Sequence, residues 1–297
     1  RNQLINGNFR FWQRGTGPYT GQVYTSDRWF LANSSNVTVN RFTPDPASGL
    51  AYGMQIIATE TAYIQQAIEL DTEGVTSPFT AGSKWTLSFN ANVGSGTTDV
   101  SVRYGFADKS NFLNSPDVVT TPTQTVNSGG GTYSFDVTIP SSISSTNICL
   151  VVGLAFSANS DIRLYNVQFE PGTEATPFEV IPIQTQLANC QRYYESVGGL
   201  TGGGASLTVT LSPNGDQGAN GTSNLISFAT TKRTNPTVTY DIMDVIVNGT
   251  GSISFNSTNI YTQQPFGFNI GIFGLASGGY EKSMLLRLDG YQADAEL

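Results

Sequence analysis

Residues 164–195, LYNVQFEPGTEATPFEVIPIQTQLANCQRYYE, show how this chain is assembled. The stretch opens with the apolar residues of a strand, Leu164, Val167 and Phe169. That strand ends at Pro171-Gly172, a dipeptide that strongly favours a turn. An extended segment with two prolines follows, and after it comes the only convincing helical pattern of the chain. We therefore expect a β-domain, a turn and then a helix.

The helical pattern begins just after Pro182, a residue that suits a first helical turn. Apolar residues then recur at spacings of four, three, four and three: Ile183, Leu187, Cys190, Tyr194 and Val197. This spacing predicts a helix over about 183–197 and is typical of a coiled-coil seam. The seam spans barely two heptads, so the pattern also fits an amphipathic helix that packs on a neighbouring sheet.

The region before this helix, residues 1–180, is predicted to form one β-sandwich. Its clearest strands are three runs in which apolar and polar residues alternate: KWTLSFNANV at 84–93, VSVRYGF at 100–106 and YSFDVTI at 133–139. Alternation bounded by Gly, Ser, Asn and Pro clusters is typical of half-buried antiparallel strands. The expected sandwich resembles the jelly roll of carbohydrate-binding modules.

A second β unit is predicted after the helix. The segment GGLTGGGAS at 198–206 contains too much glycine to hold a helix and predicts a hinge. Short strand patterns follow it: LTVTLS, TVTYDI, SISFNS, FGFNIGIFG and SMLLRLDGY. The overall prediction is an all-β protein with two β-sandwich, jelly-roll-like domains at 1–180 and 203–297. One short helix and the hinge, at 181–202, join them.

The composition excludes several classes of function. The net charge is −8 at pH 7, so the chain lacks the basic surface that binding to nucleic acid or to anionic lipid requires. No apolar run approaches the ~20 residues of a membrane-spanning helix. The two cysteines, Cys149 and Cys190, are too few for a disulfide scaffold and are expected to be small buried hydrophobes.

The sequence contains no histidine, which removes Ser-His-Asp and Cys-His catalysis and most zinc sites. No nucleotide-binding loop is present, and no cofactor is predicted. Glycoside hydrolysis needs only two acidic side chains, and acidic candidates are available: Glu60, Glu69, Asp71 and Glu73. We expect a protein that is not an enzyme. A glycan depolymerase with paired carboxylates is the alternative.

Three pieces together resemble the distal region of bacteriophage tail-fibre and receptor-binding proteins: LINGNFRFWQRG at 4–15, the stretch 164–195, and ADAEL at 293–297. The resemblance implies a homotrimeric virion protein, located in a tail fibre with other tail proteins. It favours three parallel helices with Ile183, Leu187, Cys190 and Tyr194 as contact residues. It also implies attachment to a bacterial surface polysaccharide or lipopolysaccharide. A purely structural fibre domain is a further alternative.

Jelly-roll modules of the similar kind often hold a structural calcium. Here Asn8 and Arg10 stand where carboxylates would strengthen such a site, with Asn166 or Asp161 as later partners, so no metal is predicted.

Sugar recognition needs flat apolar rings and polar groups that bind hydroxyls. The predicted ligand-binding residues are aromatic side chains of the N-terminal segment and of the C-terminal unit: Trp12, Tyr19, Tyr24, Trp29, Tyr261, Phe266, Tyr280 and Tyr291. Trp29 also fits the sandwich core, while Tyr19 and Tyr24 lie in a loop sequence that favours exposure. Which domain binds the receptor stays open.

Overall fold

The computed structural model describes residues 2–33, 35–44, 52–70, 77–108, 118–141, 148–198, 207–213, 220–247, 251–255, 257–273 and 284–296. In these residues the chain is all-β with one helix, as the sequence predicts. It divides into two compact units, residues 1–186 and 187–296. Within the described residues, no helix is long and apolar enough to cross a membrane.

The described part of the N-terminal unit contains twelve strands. They are β1 (Val23–Tyr24), β2 (Phe30–Leu31), β3 (Val37–Phe42), β4 (Gly53–Ala58), β5 (Ala62–Glu69), β6 (Lys84–Val93), β7 (Thr97–Ala107), β8 (Val119–Thr120), β9 (Gln124–Asn127), β10 (Gly131–Thr138), β11 (Cys149–Phe156) and β12 (Ser160–Pro171).

These strands form two antiparallel sheets. One sheet has seven strands in the order β1-β2-β5-β11-β7-β8, with β9 also paired to β7. The other has five strands in the order β10-β6-β12-β4-β3. Successive strands such as β4 and β5, β6 and β7, or β10 and β11 lie in different sheets. Because the chain crosses repeatedly between the sheets, the unit is a jelly-roll-like sandwich.

The core of this sandwich follows from strand alternation. Trp85, Leu87 and Phe89 on β6 are buried and point into one apolar cluster, while the residues between them are polar. The ring of Trp85 stacks on Phe169 of β12 at 5.0 Å between centroids. Because the strand period is two, the same alternation leaves every second side chain on an outer face of the sandwich. Those outer faces are where a ligand can bind.

The helix is shorter than its sequence pattern predicts. It spans α1 (Ile183–Gln191), and the next residues form a strand, β13 (Tyr194–Gly198), instead of a further helical turn. Tyr194 and Val197 therefore do not continue a helical seam. The physical reason is that aromatic and β-branched residues favour a strand. The backbone of β13 is moreover paired along its length with the last strand of the chain.

The four predicted seam residues do not share one exposed face. Cys190 is fully buried and Tyr194 is 3% exposed within the chain's own fold, while Leu187 is half-buried. Only Ile183 is widely exposed, at 42%. Cys190 and Tyr194 therefore fit the amphipathic-helix alternative, in which the apolar face packs against the protein's own chain, better than they fit a coiled-coil seam. The homotrimer itself stays a prediction.

The C-terminal unit continues from β13 with β14 (Leu207–Pro213), β15 (Asn220–Ser223), β16 (Ile226–Ser227), β17 (Thr237–Val247), β18 (Gly251–Ile253), β19 (Ser257–Gln264), β20 (Gly267–Phe273) and β21 (Met284–Asp294). All of its described strands belong to one hydrogen-bonded antiparallel sheet around a single core. Four of the five strand patterns correspond to β14, β17, β20 and β21, whereas SISFNS at 252–257 begins in β18 and ends at the first residue of β19. The first residue of the predicted glycine-rich hinge, Gly198, ends β13. The rest of the hinge, residues 199–206, lies outside the described residues.

Candidate functional site

Trp29 and Trp12, two of the predicted ligand-binding residues, lie in the N-terminal sandwich with little exposure. Trp29 is 1% exposed, packs on Phe9 at 5.2 Å between ring centroids, and donates its indole N–H to the carbonyl of Asn6 at 3.1 Å. Trp12 is 8% exposed and donates its indole N–H to the carbonyl of Phe9 at 2.6 Å. These side chains fill the core, which is the alternative that the sequence offers for Trp29.

The two predicted tyrosines of this segment are more accessible. Tyr19 stacks on Trp12 at 6.3 Å between ring centroids, and burial raises the pKa of its hydroxyl. Tyr24 packs edge-on against Phe30 at 5.0 Å, and the guanidinium of Arg14 lies 5.0 Å above its ring. The rings of Tyr19 and Tyr24 therefore pack on two different aromatic side chains, Trp12 and Phe30.

Of the four predicted residues of the C-terminal unit, the structure describes the side chains of Tyr291 and Phe266. Tyr291 is 3% exposed, and its hydroxyl donates to the carboxylate of Glu195 at 2.6 Å. Burial and the neighbouring carboxylate raise the pKa of Tyr291. Phe266 is exposed beside β20, and Tyr261 lies in β19. Tyr280 lies outside the described residues.

A pocket of about 270 Å³ also lies within this unit. Its lining is mainly apolar: Val197, Leu207, Thr208, Val209, Leu225, Ile226, Ser227 and Tyr291. The hydroxyl of Tyr291 is already bound to Glu195. Polar and apolar atoms nevertheless share the exposed lining of this pocket about equally.

A more promising surface is the outer face of the seven-stranded sheet. Strand register brings side chains from six strands into one line across this face, which we call the outer row: Tyr24, Phe30, Gln65, Gly153, Arg103 and Thr120. Residues that pair directly across antiparallel strands point to the same side of the sheet. At roughly 4.8 Å per strand the row is ~24 Å long, which suits a chain of several sugar rings.

The centre of the outer row is low because one of its members is a glycine. A Cβ on Gly153 would lie 2.6 Å from the Cβ of Gln65 and 2.8 Å from the carbonyl oxygen of Ile64. A side chain there would force its neighbours to move, so the position requires glycine. Ala155 on the same strand and Gly105 on the adjoining β7 are also small and buried. The result is a shallow groove with larger side chains on both sides.

An arginine and a tyrosine face each other over this groove. Arg103 stands on β7 and Tyr63 on β5, with β11 between them. The guanidinium of Arg103 lies 4.4 Å from the centroid of the Tyr63 ring, so it reaches across the intervening strand. Neither the Arg103 side chain nor the Tyr63 hydroxyl has a hydrogen-bond partner among the described residues. Five N–H donors and one hydroxyl are therefore available to a ligand.

The other end of the groove is apolar. A small buried cluster lies on this outer side of the sheet, made by Phe30, Ala67, Ala107, Cys149 and Val151, with Tyr24 packed against it. These five side chains are buried, so the aromatic surface that solvent reaches at this end is the half-buried ring of Tyr24, with the stacked Arg103–Tyr63 pair nearer the other end. Hydrophobic walls with a few polar groups are the usual composition of a small-molecule site.

Two acidic side chains of this face, Glu69 and Asp99, are far apart. Glu69 pairs with Cys149, and Cys149 pairs in turn with Ala107 on β7. Asp99 lies about eight residues before Ala107 on the same strand. These two carboxylates are separated by roughly 27 Å of strand, whereas glycosidase carboxylates lie within about 10 Å of each other. Glu60 accepts a hydrogen bond from Asn33 at 3.0 Å. Asp71 and Glu73 lie outside the described residues.

Among the residues that the structure describes, no group of three or more His, Cys, Asp or Glu side chains is arranged to hold a metal ion. The side-chain oxygen of Asn8, considered for calcium, accepts a hydrogen bond from Gln186 at 2.9 Å. Asp161 accepts from Gln55 at 2.8 Å on the five-stranded sheet. The side-chain oxygens of Asn8 and Asp161 thus both accept hydrogen bonds from side-chain amides.

Sequence reasoning missed most of the outer row. Alternation in VSVRYGF does place Arg103 on the face opposite to the core residues Val102 and Tyr104, so its outward direction was visible. The pairing of β7 with β11 and of β11 with β5 was not visible, because it joins residues far apart in the chain. Tyr24 is the only predicted ligand-binding residue that belongs to the row.

No protein-family model and no curated protein sequence matches this chain. Solved structures of carbohydrate-binding modules do match. A structure of a CBM4 module is 18% identical, covers 56% of this chain and 98% of its own, and has a TM-score of 0.36. The CBM22-1 xylan-binding domain from Paenibacillus barcinonensis Xyn10C is 14% identical, covers 54% and 93%, and has a TM-score of 0.35.

A third match is TmCBM61 in complex with β-1,4-galactotriose, which is 12% identical, covers 58% of this chain and 99% of its own, and has a TM-score of 0.33. All three TM-scores are below 0.5, so the proposals that follow are derived from this chain's own contacts. None of the three is a phage tail fibre, and the tail-fibre resemblance stays a prediction of the sequence.

Proposed function

We propose that the N-terminal unit binds a glycan chain along the outer row and does not cleave it. The observation that carries this proposal is the Arg103–Tyr63 pair, which stands over a floor lowered by Gly153. The ring supplies an apolar face and the guanidinium supplies several N–H donors. A sugar has both an apolar C–H face and hydroxyl oxygens, so it complements both groups.

Binding of one chain is expected to be modest. The groove is shallow and open, and a sugar must give up bound water for each hydrogen bond that it forms. Gln65 is 7% exposed on the groove floor, so its side chain is held in place rather than free to adapt. Orientation by fixed side chains reduces the entropy cost of binding, which gives specificity to a weak site.

The finer proposal is that this module belongs to a virion adhesin that attaches to a bacterial polysaccharide or lipopolysaccharide. Its support is the tail-fibre resemblance of residues 4–15, 164–195 and 293–297. Three copies in a homotrimer would raise weak single-site binding through effective concentration. Cleavage by paired carboxylates remains the alternative function.

The proposal is tested with Tyr63→Ala and Arg103→Ala. Both variants are applied to a glycan array that includes bacterial surface polysaccharides, and affinities for positive glycans are measured by isothermal titration calorimetry. Loss of a stacking face or of charged donors is expected to weaken binding by roughly tenfold or more. Arg41→Ala is the matched control, because Arg41 stacks on Tyr52 at 4.9 Å but is not in the outer row.

Three outcomes would count against the proposal. Equal affinity of wild type, Tyr63→Ala and Arg103→Ala for a positive glycan would remove the outer row from the binding site. Release of reducing ends from that glycan by the purified protein would show that it is a depolymerase. If the wild type binds no glycan on the array, glycan binding itself is contradicted.

A further inference from the structure

The outer face of the five-stranded sheet, on the opposite side of the same sandwich, also bears an organised set of side chains. Strand register aligns four polar residues across it: Asn40, Gln55, Arg163 and Asn92. Beside this line lie two aromatic rings, Phe42 and Tyr165, whose centroids are 6.2 Å apart. No residue of this face belongs to the outer row of the seven-stranded sheet.

A glycine again makes room for the aromatic arrangement. A Cβ on Gly53 would lie 2.4 Å from a ring carbon of Tyr165, so Tyr165 lies across β4 where a side chain is absent. The ring thereby reaches Phe42 on β3, and the guanidinium carbon of Arg163 lies 5.0 Å from the centroid of Phe42. Each sheet of the sandwich thus carries an arginine stacked on an aromatic ring beside a glycine.

Two buried polar atoms on this face have no hydrogen-bond partner among the described residues: Nε of Arg163 and Oδ1 of Asn92. Their residues are direct partners in the register of β12 with β6. One atom is a donor and the other an acceptor, and leaving either unsatisfied is unfavourable. A hydroxyl group can accept from the first while it donates to the second.

We propose that this face is a second glycan-binding surface, specific for neutral, hydroxyl-rich sugars. Arg163 is balanced on the same face by the carboxylate of Asp161, which accepts from Gln55 at 2.8 Å. The face therefore offers both donors and acceptors and carries no net charge from this pair. A neutral sugar satisfies such a surface better than an acidic one, which would meet the carboxylate.

In the unliganded state Arg163 covers the ring of Phe42. A cation–π contact near the surface is weak, so the guanidinium can leave the ring at small cost. Its departure exposes Phe42 for stacking with a sugar and brings Nε within reach of a hydroxyl. Binding at this face is therefore coupled to a rotamer change of one arginine.

The test uses nuclear magnetic resonance of the full chain with a panel of neutral hexasaccharides that differ in the configuration of their sugars. We expect at least one hexasaccharide to shift the Nε–H signal of Arg163 and the side-chain amide signals of Asn92. These shifts must persist in Tyr63→Ala/Arg103→Ala, which disables the outer row. Adding Phe42→Ala to that variant should then weaken the residual binding at least tenfold, while adding Arg41→Ala should not.

Shifts that are confined to the outer row, or that vanish in Tyr63→Ala/Arg103→Ala, would overturn the second surface and leave the proposed function intact. The wild-type signals of Arg163 and Asn92 keep the test decisive even if a variant folds poorly. If these signals stay unchanged across the panel, the two buried atoms are satisfied by water alone and the proposal fails.

Discussion

At the scale of single residues, tyrosine has opposite roles in the two units. Tyr63 keeps its hydroxyl without a partner among the described residues, on the outer face of a sheet. Tyr291 is buried, and its hydroxyl donates to Glu195 at 2.6 Å. Tyr63 is thus the tyrosine that we propose for recognition, whereas the enclosed hydroxyl of Tyr291 contributes to stability.

The buried tyrosine gives a prediction for alkaline pH. Burial, followed by the contact with Glu195, raises the pKa of Tyr291 above the value of about 10 that is usual for tyrosine. A group with a raised folded-state pKa contributes stability that is complete below pH about 10. That contribution is lost as pH rises further, by at most about 1.4 kcal/mol per pH unit.

We therefore expect the free energy of unfolding of wild type to exceed that of Tyr291→Phe by a constant amount from pH 7 to 9. The difference should shrink steadily above pH 10. Urea titrations followed by circular dichroism at each pH measure it. Both proteins contain Lys232, whose pKa burial lowers and whose stability contribution changes in the opposite direction with pH. Comparison of the two proteins removes the part of that contribution that does not pass through Glu195, the carboxylate that both Lys232 and Tyr291 contact. A difference that stays constant to pH 11.5 would contradict the expectation.

At the scale of elements, a buried ion pair fastens the end of α1 to the strands of the C-terminal unit. Nζ of Lys232 donates to the carboxylate of Glu195 at 2.7 Å and to the carbonyl of Gln191, the last helical residue, at 2.6 Å. Glu195 also accepts from the backbone N–H of Ala229. A cation at a helix C-terminus is favourable because it meets unpaired carbonyls.

Removal of one member of this pair is predicted to be costly. Glu195→Leu leaves Lys232 buried without its carboxylate and should lower the free energy of unfolding by about 3–5 kcal/mol. The double variant Glu195→Leu/Lys232→Met leaves no buried charge and should recover a large part of that loss. Urea denaturation of the three proteins measures both effects, and equal loss in the single and double variants would contradict them.

The exposed pair of Asp244 and Arg287 provides the control for this prediction. Its side chains are partly open to solvent, with Arg287 at 38% exposure. Since solvent screens such pairs, Arg287→Ala should leave the unfolding midpoint nearly unchanged. The contrast separates the effect of burial from that of charge.

At the scale of the whole molecule, one of the predicted trimer-contact residues on α1 is already exposed in the folded chain. Ile183 is exposed, whereas Cys190 and Tyr194 are enclosed by the chain's own fold. We expect size-exclusion chromatography with light scattering to give a trimer for wild type and a monomer for Ile183→Asp. The neighbouring exposed position supplies the control Thr185→Asp, which should remain trimeric. A monomeric wild type would end the trimer prediction and the avidity that depends on it.

The amino-acid sequence by itself determined the all-β class, the alternation of core residues such as Trp85, Leu87 and Phe89, and the presence of one helix. These features follow from local periods of two and of three to four residues, which a linear pattern records. The end of α1 was misjudged because Cys190, Tyr194 and Val197 fit a helical spacing, while pairing with β21 favours a strand.

Only the tertiary structure decided which residues form the candidate sites. Arg103 and Tyr63 are 40 positions apart in the chain and meet because both their strands pair with β11. Arg163 reaches Phe42 because both their strands pair with β4. Such meetings depend on strand order and register, which are fixed by the packing of the complete core and not by any local pattern.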